Sequence, residues 1–169
     1  MKNIYLVGFM GTGKTCVGKE VARKKKRGFV DLDELIEIRE KMIISDIFDK
    51  EGEPYFRKAE KKALREVCRE DNFVVACGGG IVLDKDNITI MKRTGTIICL
   101  SASPKAILQR TSCQGGRPLL NVADPRKQIE LLLKLREPYY CLADKNIDTS
   151  KLSVKEAAGM VLKLVAKKQ

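Results

Sequence analysis

The sequence contains no histidine and no tryptophan, and aromatic residues make up only 5% of its 169 positions. Without histidine the commonest general base is absent, and neither a Cys–His nor a Ser–His catalytic pair can form. Any proton transfer must therefore use a carboxylate or a lysine. The few aromatic rings are not interleaved with basic residues, which argues against nucleic-acid binding through base stacking.

The cysteines show no metal-binding arrangement. There is no C-x-x-C pair, and no histidine that would complete a mixed zinc site. We expect six reduced thiols that pack mostly as small apolar side chains. They are Cys16, Cys68, Cys77, Cys99, Cys113 and Cys141.

Long hydrophobic runs are also absent. No apolar stretch reaches the roughly 18 to 20 residues that a membrane-spanning helix needs. The N-terminal apolar stretch reaches glycine at Gly8, too early for a signal peptide, so we expect no membrane partner and a cytoplasmic location. A chain of 169 residues with 44% apolar and 33% charged residues is typical of one globular domain, which we predict to span residues 1–169.

The net charge of +11 favours anionic ligands such as nucleotides, small acids or nucleic acid. The densest basic cluster, residues 23–27, comes at the end of the first predicted helix. Cations there complement the helix dipole and face water, which favours a solvated helix end over a nucleic-acid site. We therefore predict no nucleic-acid partner. The alternative, a nucleotide-dependent module that binds DNA or RNA, predicts salt-sensitive binding to either.

One motif near the N-terminus carries a clear chemical meaning. Residues 8–15 read G-x-x-x-x-G-K-T, the loop that cradles phosphates with its backbone N–H groups. Gly11 and Gly13 let the backbone approach the phosphates, Lys14 supplies a cation, and the Thr15 hydroxyl suits Mg²⁺. A buried strand precedes the motif and a helix follows it, which makes a chance match a weak alternative.

The remaining chain alternates short apolar runs with helical patterns. We predict strands at 4–7, 29–33, 73–77, 96–100 and 146–148. Continuous apolar strands favour a parallel sheet covered by helices on both faces. The predicted fold is therefore three-layer α/β/α, with about five strands. Caps are predicted at Ser45, at Ser103 before Pro104, and at Ser153 in a capping box.

In such a sheet, ligands bind beyond the carboxyl ends of the strands, where two further groups of residues lie. Asp31 and Asp33 follow the second strand, and in an extended segment their side chains point the same way. One carboxylate is suited to a phosphate-bound Mg²⁺ and the other to the nucleophile. The alternative is that the pair provides a helix N-cap and a first-turn acid, since Asp33 precedes a helical stretch. Three consecutive glycines, Gly78–Gly80, follow the third strand and permit close approach of a small ligand.

Arginines provide the remaining candidates. Arg57 on one predicted helix and Arg136 on another are suited to a carboxylate, which a guanidinium grips with two hydrogen bonds. Arg117 lies in a polar, glycine-containing segment from about 111 to 125 that we predict to be a mobile lid. A lid arginine can meet a transferring phosphoryl group. Composition alone cannot select these residues, because the chain has 33 lysines and arginines.

Together these stretches resemble the shikimate kinase family along nearly the whole chain. The resemblance implies a nucleoside monophosphate kinase-like fold with a mobile lid and a substrate-binding helical region at about 33–61. It further implies Mg²⁺-dependent transfer of the ATP γ-phosphoryl group to the 3-hydroxyl of shikimate. We expect a monomer, because no long apolar stripe is left over once the core is assigned. A related kinase that uses gluconate or a nucleoside monophosphate is the alternative. The residues that carry the resemblance are the loop at 8–15, Asp31-Leu32-Asp33, Phe56-Arg57, Gly78–Gly80, Arg117-Pro118-Leu119-Leu120, and Arg136 before Tyr139-Tyr140.

The resemblance also implies roles for individual residues. Lys14, Asp33 and Arg117 would be catalytic, with Asp33 accepting the proton, and Glu60 would orient Arg57. Thr15 would ligate Mg²⁺, and Asp31 would support the metal through water. The segment at 148–151 lacks the arginine found in some members, which leaves its adenine contacts open. ATP would contact Gly11, Thr12, Gly13, Lys14, Thr15, Cys16, Arg110 and Arg117. Shikimate would contact Asp33, Gly78, Gly79 and Gly80, and Arg57 and Arg136 would hold its carboxylate.

Overall fold

The computed structural model describes residues 2–112, 120 and 122–166. Five parallel strands form one sheet in the order β2-β3-β1-β4-β5. This confirms the predicted α/β class and strand number. The strands are β1 (Asn3–Val7), β2 (Gly28–Asp31), β3 (Phe73–Ala76), β4 (Gly95–Ser101) and β5 (Lys145–Asp148).

Eight α-helices of the described residues connect and cover these strands, together with one turn of 3₁₀ helix at Ile81–Leu83. None of them is long and apolar enough to cross a bilayer. Their bounds are α1 (Lys14–Lys25), α2 (Leu32–Glu40), α3 (Ile44–Lys50), α4 (Gly52–Val67), α5 (Lys85–Thr94), α6 (Pro104–Thr111), α7 (Pro125–Tyr140) and α8 (Val154–Ala166).

The central strand β1 shows why the strands lack polar alternation. All five of its residues are buried. Tyr5 and Val7 pack into a cluster with helices α2 to α5, whereas Ile4 and Leu6 pack into a second cluster with α1 and α8. Because helices cover both faces, every position of the strand meets apolar neighbours. The three-layer arrangement is thereby confirmed.

The helix cap predicted at Ser45 is wrong, and so is the single extended segment predicted for Asp31 and Asp33. Asp31 is the N-cap of α2 and Asp33 lies in the first turn of that helix, as in the alternative interpretation, and Asp31 Oδ1 accepts a hydrogen bond from Asp33 N at 3.1 Å. The pair therefore does not lie in one extended segment. Helix α3 begins at Ile44, so Ser45 lies inside it, and Glu37 Oε1 accepts the Ile44 N–H at 2.9 Å. The caps at Ser103 and Ser153 are confirmed.

Candidate active site

The phosphate loop joins the carboxyl end of β1 to the first turn of α1. Gly8, Gly11 and Gly13 have φ values of 136°, 75° and 93°, which L-residues with a Cβ rarely adopt. Gly13 is the N-cap of α1, and no side chain caps the helix there. The first backbone N–H groups of α1 are therefore available to an anion at the positive end of the helix dipole.

The Lys14 ammonium lies inside the curve of this loop. Its Nζ donates to the carbonyl oxygens of Gly8 and Phe9, both at 2.9 Å. Thr12 Oγ1 donates to the same Phe9 carbonyl at 2.7 Å. These bonds within the loop hold the cation and the backbone in a fixed relation before any ligand is present.

Thr15 and Asp31 meet across the cleft. The Thr15 hydroxyl at the start of α1 donates to Asp31 Oδ2 at the end of β2, at 2.7 Å. Two hard oxygen donors at one point suit Mg²⁺, which takes few protein ligands and completes its octahedron with phosphate oxygens and water. No group of three acidic, cysteine or histidine side chains in the described residues forms an all-protein metal cage.

Two buried carboxyl groups lie deeper in the cleft. Burial and then the charge of Asp31 raise the pKa of Asp33 to about 6. Burial raises the pKa of Glu60 to about 7, although Arg57 opposes the shift. Asp33 Oδ1 and Glu60 Oε1 have no hydrogen-bond partner among the described residues, and both oxygens lie against Gly78. A buried polar atom without a partner is costly, so this end of the cleft is suited to a polar ligand.

Arg57 is held in place by two carboxylates of its own helix. Its Nη1 donates to Glu60 Oε2 at 2.7 Å, while Nε and Nη2 donate to Glu53 Oε1 at 3.1 and 3.0 Å. Glu60 is 1% exposed, so this ion pair is largely removed from water on one side. The guanidinium also lies over the Phe56 ring, 5.2 Å from its centroid.

Arg136 differs from Arg57 because it forms no ion pair with a carboxylate among the residues that the structure describes. Only 7% of the residue is exposed. Its Nη1 donates to the Gly79 carbonyl at 3.4 Å, and its guanidinium lies 5.7 Å from the centre of the Phe9 ring. Among the described carboxylates, Glu60 interacts with Arg136 electrostatically, but without a direct ion pair. A buried guanidinium without a direct ion pair is suited to an anionic ligand.

These groups line one cleft of about 1010 Å³ beyond the carboxyl ends of the strands. The phosphate loop lies on one side, and the buried carboxyl and guanidinium groups lie on the other. The structure brings every predicted site residue that it describes into this cleft. Arg117 lies outside the described residues, as does most of the predicted lid. The predicted residues that line the cleft are Gly11, Thr12, Gly13, Lys14, Thr15, Cys16, Asp31, Asp33, Arg57, Glu60, Gly78, Gly79, Gly80, Arg110 and Arg136.

Comparison with known proteins identifies the family. The family model described as shikimate kinase matches residues 10–166. The chain belongs to the shikimate kinase family. A shikimate kinase of Thermoanaerobacter pseudethanolicus is 48% identical over 163 residues, covering 96% of this chain and 95% of that protein. A second, from Caldanaerobacter subterraneus subsp. tengcongensis, is 48% identical over 167 residues, covering 99% of this chain and 98% of that protein.

Solved structures agree with the sequence comparisons. A shikimate kinase from Acinetobacter baumannii, determined in complex with shikimate, superposes with a TM-score of 0.96 at 37% identity. The match covers 100% of this chain and 95% of the other. The described residues therefore have the fold of the solved shikimate kinases.

Sequence reasoning missed Thr149 at the nucleotide end of this shikimate kinase cleft. Its hydroxyl donates to the carbonyls of Thr12 and Ser101, both at 3.0 Å, so it ties the phosphate loop to β4. Arg110 donates to the Gly11 carbonyl at 3.2 Å and to the Thr149 carbonyl at 2.7 Å. The position of Thr149 in the sequence could have indicated this role. Thr149 directly follows β5, and the carboxyl end of that strand lies at the same edge of the sheet as the phosphate loop.

The glycine triplet provides a direct test of how Arg57 is packed in the cleft. A Cβ at Gly80 would lie 2.6 Å from Arg57 Cζ, whereas a Cβ at Gly79 meets nothing closer than 3.6 Å. We expect Gly80→Ala to displace the Arg57 guanidinium and raise the KM for the acceptor acid several-fold more than Gly79→Ala does. Steady-state kinetics with each substrate varied in turn would check this. Equal acceptor KM values in the two variants would contradict the packing of Arg57 against Gly80.

Proposed function

We propose that the chain transfers the γ-phosphoryl group of ATP to the 3-hydroxyl of shikimate, giving shikimate 3-phosphate and ADP. The observation that carries the proposal is a single cleft that connects a phosphate loop to Arg136, a buried arginine with no direct ion pair to a described carboxylate. The loop fits a nucleotide, and Arg136 together with Arg57 fits a carboxylate. Asp33, between these two ends, is suited to meet the hydroxyl that is phosphorylated.

At the nucleotide end, the backbone N–H groups of the loop and the first turn of α1 bind the β- and γ-phosphates. Lys14 already lies in this curve, so it needs no large movement to contact them. Its charge would neutralise the negative charge that develops on the transferring group and the leaving oxygen. Phosphoryl transfer depends mainly on such positioning and charge neutralisation.

Thr15 and Asp31 would hold Mg²⁺, Thr15 directly and Asp31 through water. A bound Mg²⁺ would neutralise part of the negative charge of the phosphates. The Thr15 hydroxyl would present a lone pair to it. Asp31, the acceptor of the Thr15 hydroxyl proton at 2.7 Å, is correctly placed to keep that hydroxyl oriented.

At the other end, Asp33 would position the acceptor hydroxyl and take its proton. The hydroxyl oxygen forms a bond to the γ-phosphorus, the bond from phosphorus to the bridging oxygen of ADP breaks, and the hydroxyl proton passes to the carboxylate. A carboxyl group whose pKa is raised to about 6 is still ionised at neutral pH and is a better proton acceptor than an exposed aspartate. Asp33 therefore performs a task that falls to histidine in many enzymes.

Arg57 and Arg136 would bind the carboxylate of the acid. We expect Arg57→Ala to raise the KM for shikimate roughly 10- to 100-fold, because a charge-assisted hydrogen bond contributes more than a neutral one. The KM for ATP should change little, since the phosphate loop does not contact Arg57. Arg65→Ala, an exposed change two turns along the same helix, is the matched control. Equal increases in both KM values would argue against the carboxylate assignment.

A comparison of acceptors tests the proposed function. ADP release with Mg-ATP would be measured with shikimate, gluconate, AMP and no acceptor. ADP formation that depends on shikimate alone supports the proposal. Turnover with gluconate or AMP, from a sample that does not use shikimate, would favour a related kinase. The predicted monomeric state, cytoplasmic location, lid at about 111–125 and substrate-binding region at about 33–61 also remain proposals.

A further inference from the structure

The three carbonyls of Gly78–Gly80 differ in whether they accept a hydrogen bond from the turn that follows them. The carbonyl of Gly78 accepts Ile81 N at 3.2 Å, and that of Gly80 accepts Leu83 N at 3.0 Å. Both bonds belong to the turn that leads into the 3₁₀ helix. The carbonyl between them, at Gly79, takes no part in this turn, so its direction must be set by another group.

Tyr140 supplies that group from the end of helix α7. Its hydroxyl donates to the Gly79 carbonyl at 2.7 Å. Burial raises the pKa of Tyr140 to about 12, so the hydroxyl keeps its proton and acts as the donor throughout the neutral range. Arg136 Nη1 also reaches this carbonyl, but at 3.4 Å, and Arg136 is the residue proposed to turn toward a bound carboxylate. The hydrogen bond from Tyr140 to the Gly79 carbonyl is therefore the shorter of the two, and it is the one that remains if Arg136 turns toward a ligand.

The direction of a carbonyl fixes the direction of the following N–H. All described peptide bonds are trans, and in a planar trans peptide the C=O of one residue and the N–H of the next point in opposite directions. Gly79 and Gly80 line the cleft, whereas Tyr140 does not. A carbonyl held toward Tyr140 therefore turns the Gly80 N–H away from Tyr140. No hydrogen bond joins that N–H to another described residue.

We infer that Tyr140 is a positioning residue that fixes the Gly79–Gly80 peptide so that the Gly80 N–H is presented to an oxygen of the acceptor acid. This inference rests on the proposed function, because it assigns the ligand of the N–H to that substrate. Gly79 also lies against the phosphate loop, where a Cβ would be 3.6 Å from the Gly8 carbonyl and 3.7 Å from Met10 N. A change in the orientation of the Gly79–Gly80 peptide would thus shift the acceptor relative to the phosphates.

The test compares Tyr140→Phe with Tyr139→Phe. The first removes the hydroxyl that holds Gly79. The second makes the same chemical change one residue earlier, where no hydrogen bond joins the hydroxyl to another described residue. We expect Tyr140→Phe to raise the KM for shikimate about five- to tenfold, the effect of one hydrogen bond. The kcat and the KM for ATP should change little, and Tyr139→Phe should leave all three values near those of the wild type.

A second readout, the backbone amide NMR spectrum of the protein without ligand, does not depend on activity. The Gly80 cross-peak should move in Tyr140→Phe and stay in place in Tyr139→Phe. An unmoved Gly80 cross-peak, an unchanged shikimate KM, or an equal rise in the shikimate and ATP KM values would each overturn the inference. Lack of shikimate turnover by the wild type would instead overturn the proposed function, and the cross-peak would then test the peptide orientation by itself.

Discussion

Replacing Lys14 with methionine is expected to lower kcat by about 10³-fold, the magnitude found when a cation or preorganised donor at the transferring group is lost. Methionine keeps most of the length of the side chain but has no charge. The fold should persist, because the backbone of the loop is shaped by its glycines and by the Thr12 hydrogen bond to the Phe9 carbonyl. Initial rates with both substrates saturating, together with circular dichroism, would check this prediction.

Lys19→Met is the matched control for that experiment. Lys19 lies on the same helix, is more than half exposed, and pairs only distantly with Glu34, at 3.7 Å. It should retain nearly full activity. A Lys14→Met variant with turnover within about threefold of the control would remove the Lys14 charge from the mechanism, because that ratio corresponds to less than 1 kcal/mol of transition-state stabilisation.

Asp33→Asn should have the second large effect, a loss of roughly 10²- to 10⁴-fold in kcat, since the amide cannot accept the proton. The same change should not reduce stability at pH 8. Burial and the charge of Asp31 raise the folded-state pKa of Asp33 to about 6, above the value of an unfolded aspartate. A raised pKa means that the folded protein loses stability as the pH rises through about 6, and a neutral asparagine removes that loss.

Rates and thermal unfolding at pH 8 would be measured together for this variant. Asp46→Asn is the control, because Asp46 is an exposed carboxylate of helix α3 that pairs with Lys50 at 3.7 Å. Lost activity with an unfolding temperature equal to or above that of the wild type is the expected combination. A variant that keeps normal turnover would show that Asp33 neither accepts the proton nor is needed to position the hydroxyl.

Much of the fold and the nucleotide end of the site could be predicted because their signals are local. The phosphate loop places its glycines, lysine and threonine within eight consecutive residues, and the strand and helix on either side have clear patterns. The parallel sheet follows from strands such as β1, which is buried at every position and apolar from Ile4 to Val7 because both faces are covered. These features can be predicted without knowing which distant residues are in contact.

The features that could not be predicted depend on distant parts of the chain. The first N–H of helix α3 is capped by Glu37 in the preceding helix, so the cap predicted at Ser45 from the neighbouring sequence was wrong. Composition could not distinguish Arg136 from 32 other basic residues, and only the fold shows that it is buried. The bond from Tyr140 to Gly79 joins residues 61 positions apart, which no local pattern indicates.

The most direct test of the central claim is the position of the phosphate on the product. Purified protein would be incubated with Mg-ATP and shikimate, and the product would be examined by mass spectrometry and by phosphorus–proton coupling in NMR. We expect one added phosphoryl group, coupled to the proton on carbon 3. A phosphate on another hydroxyl would contradict the placement of the 3-hydroxyl against Asp33. No phosphorylated product from a folded, ATP-binding sample would contradict the proposed activity itself.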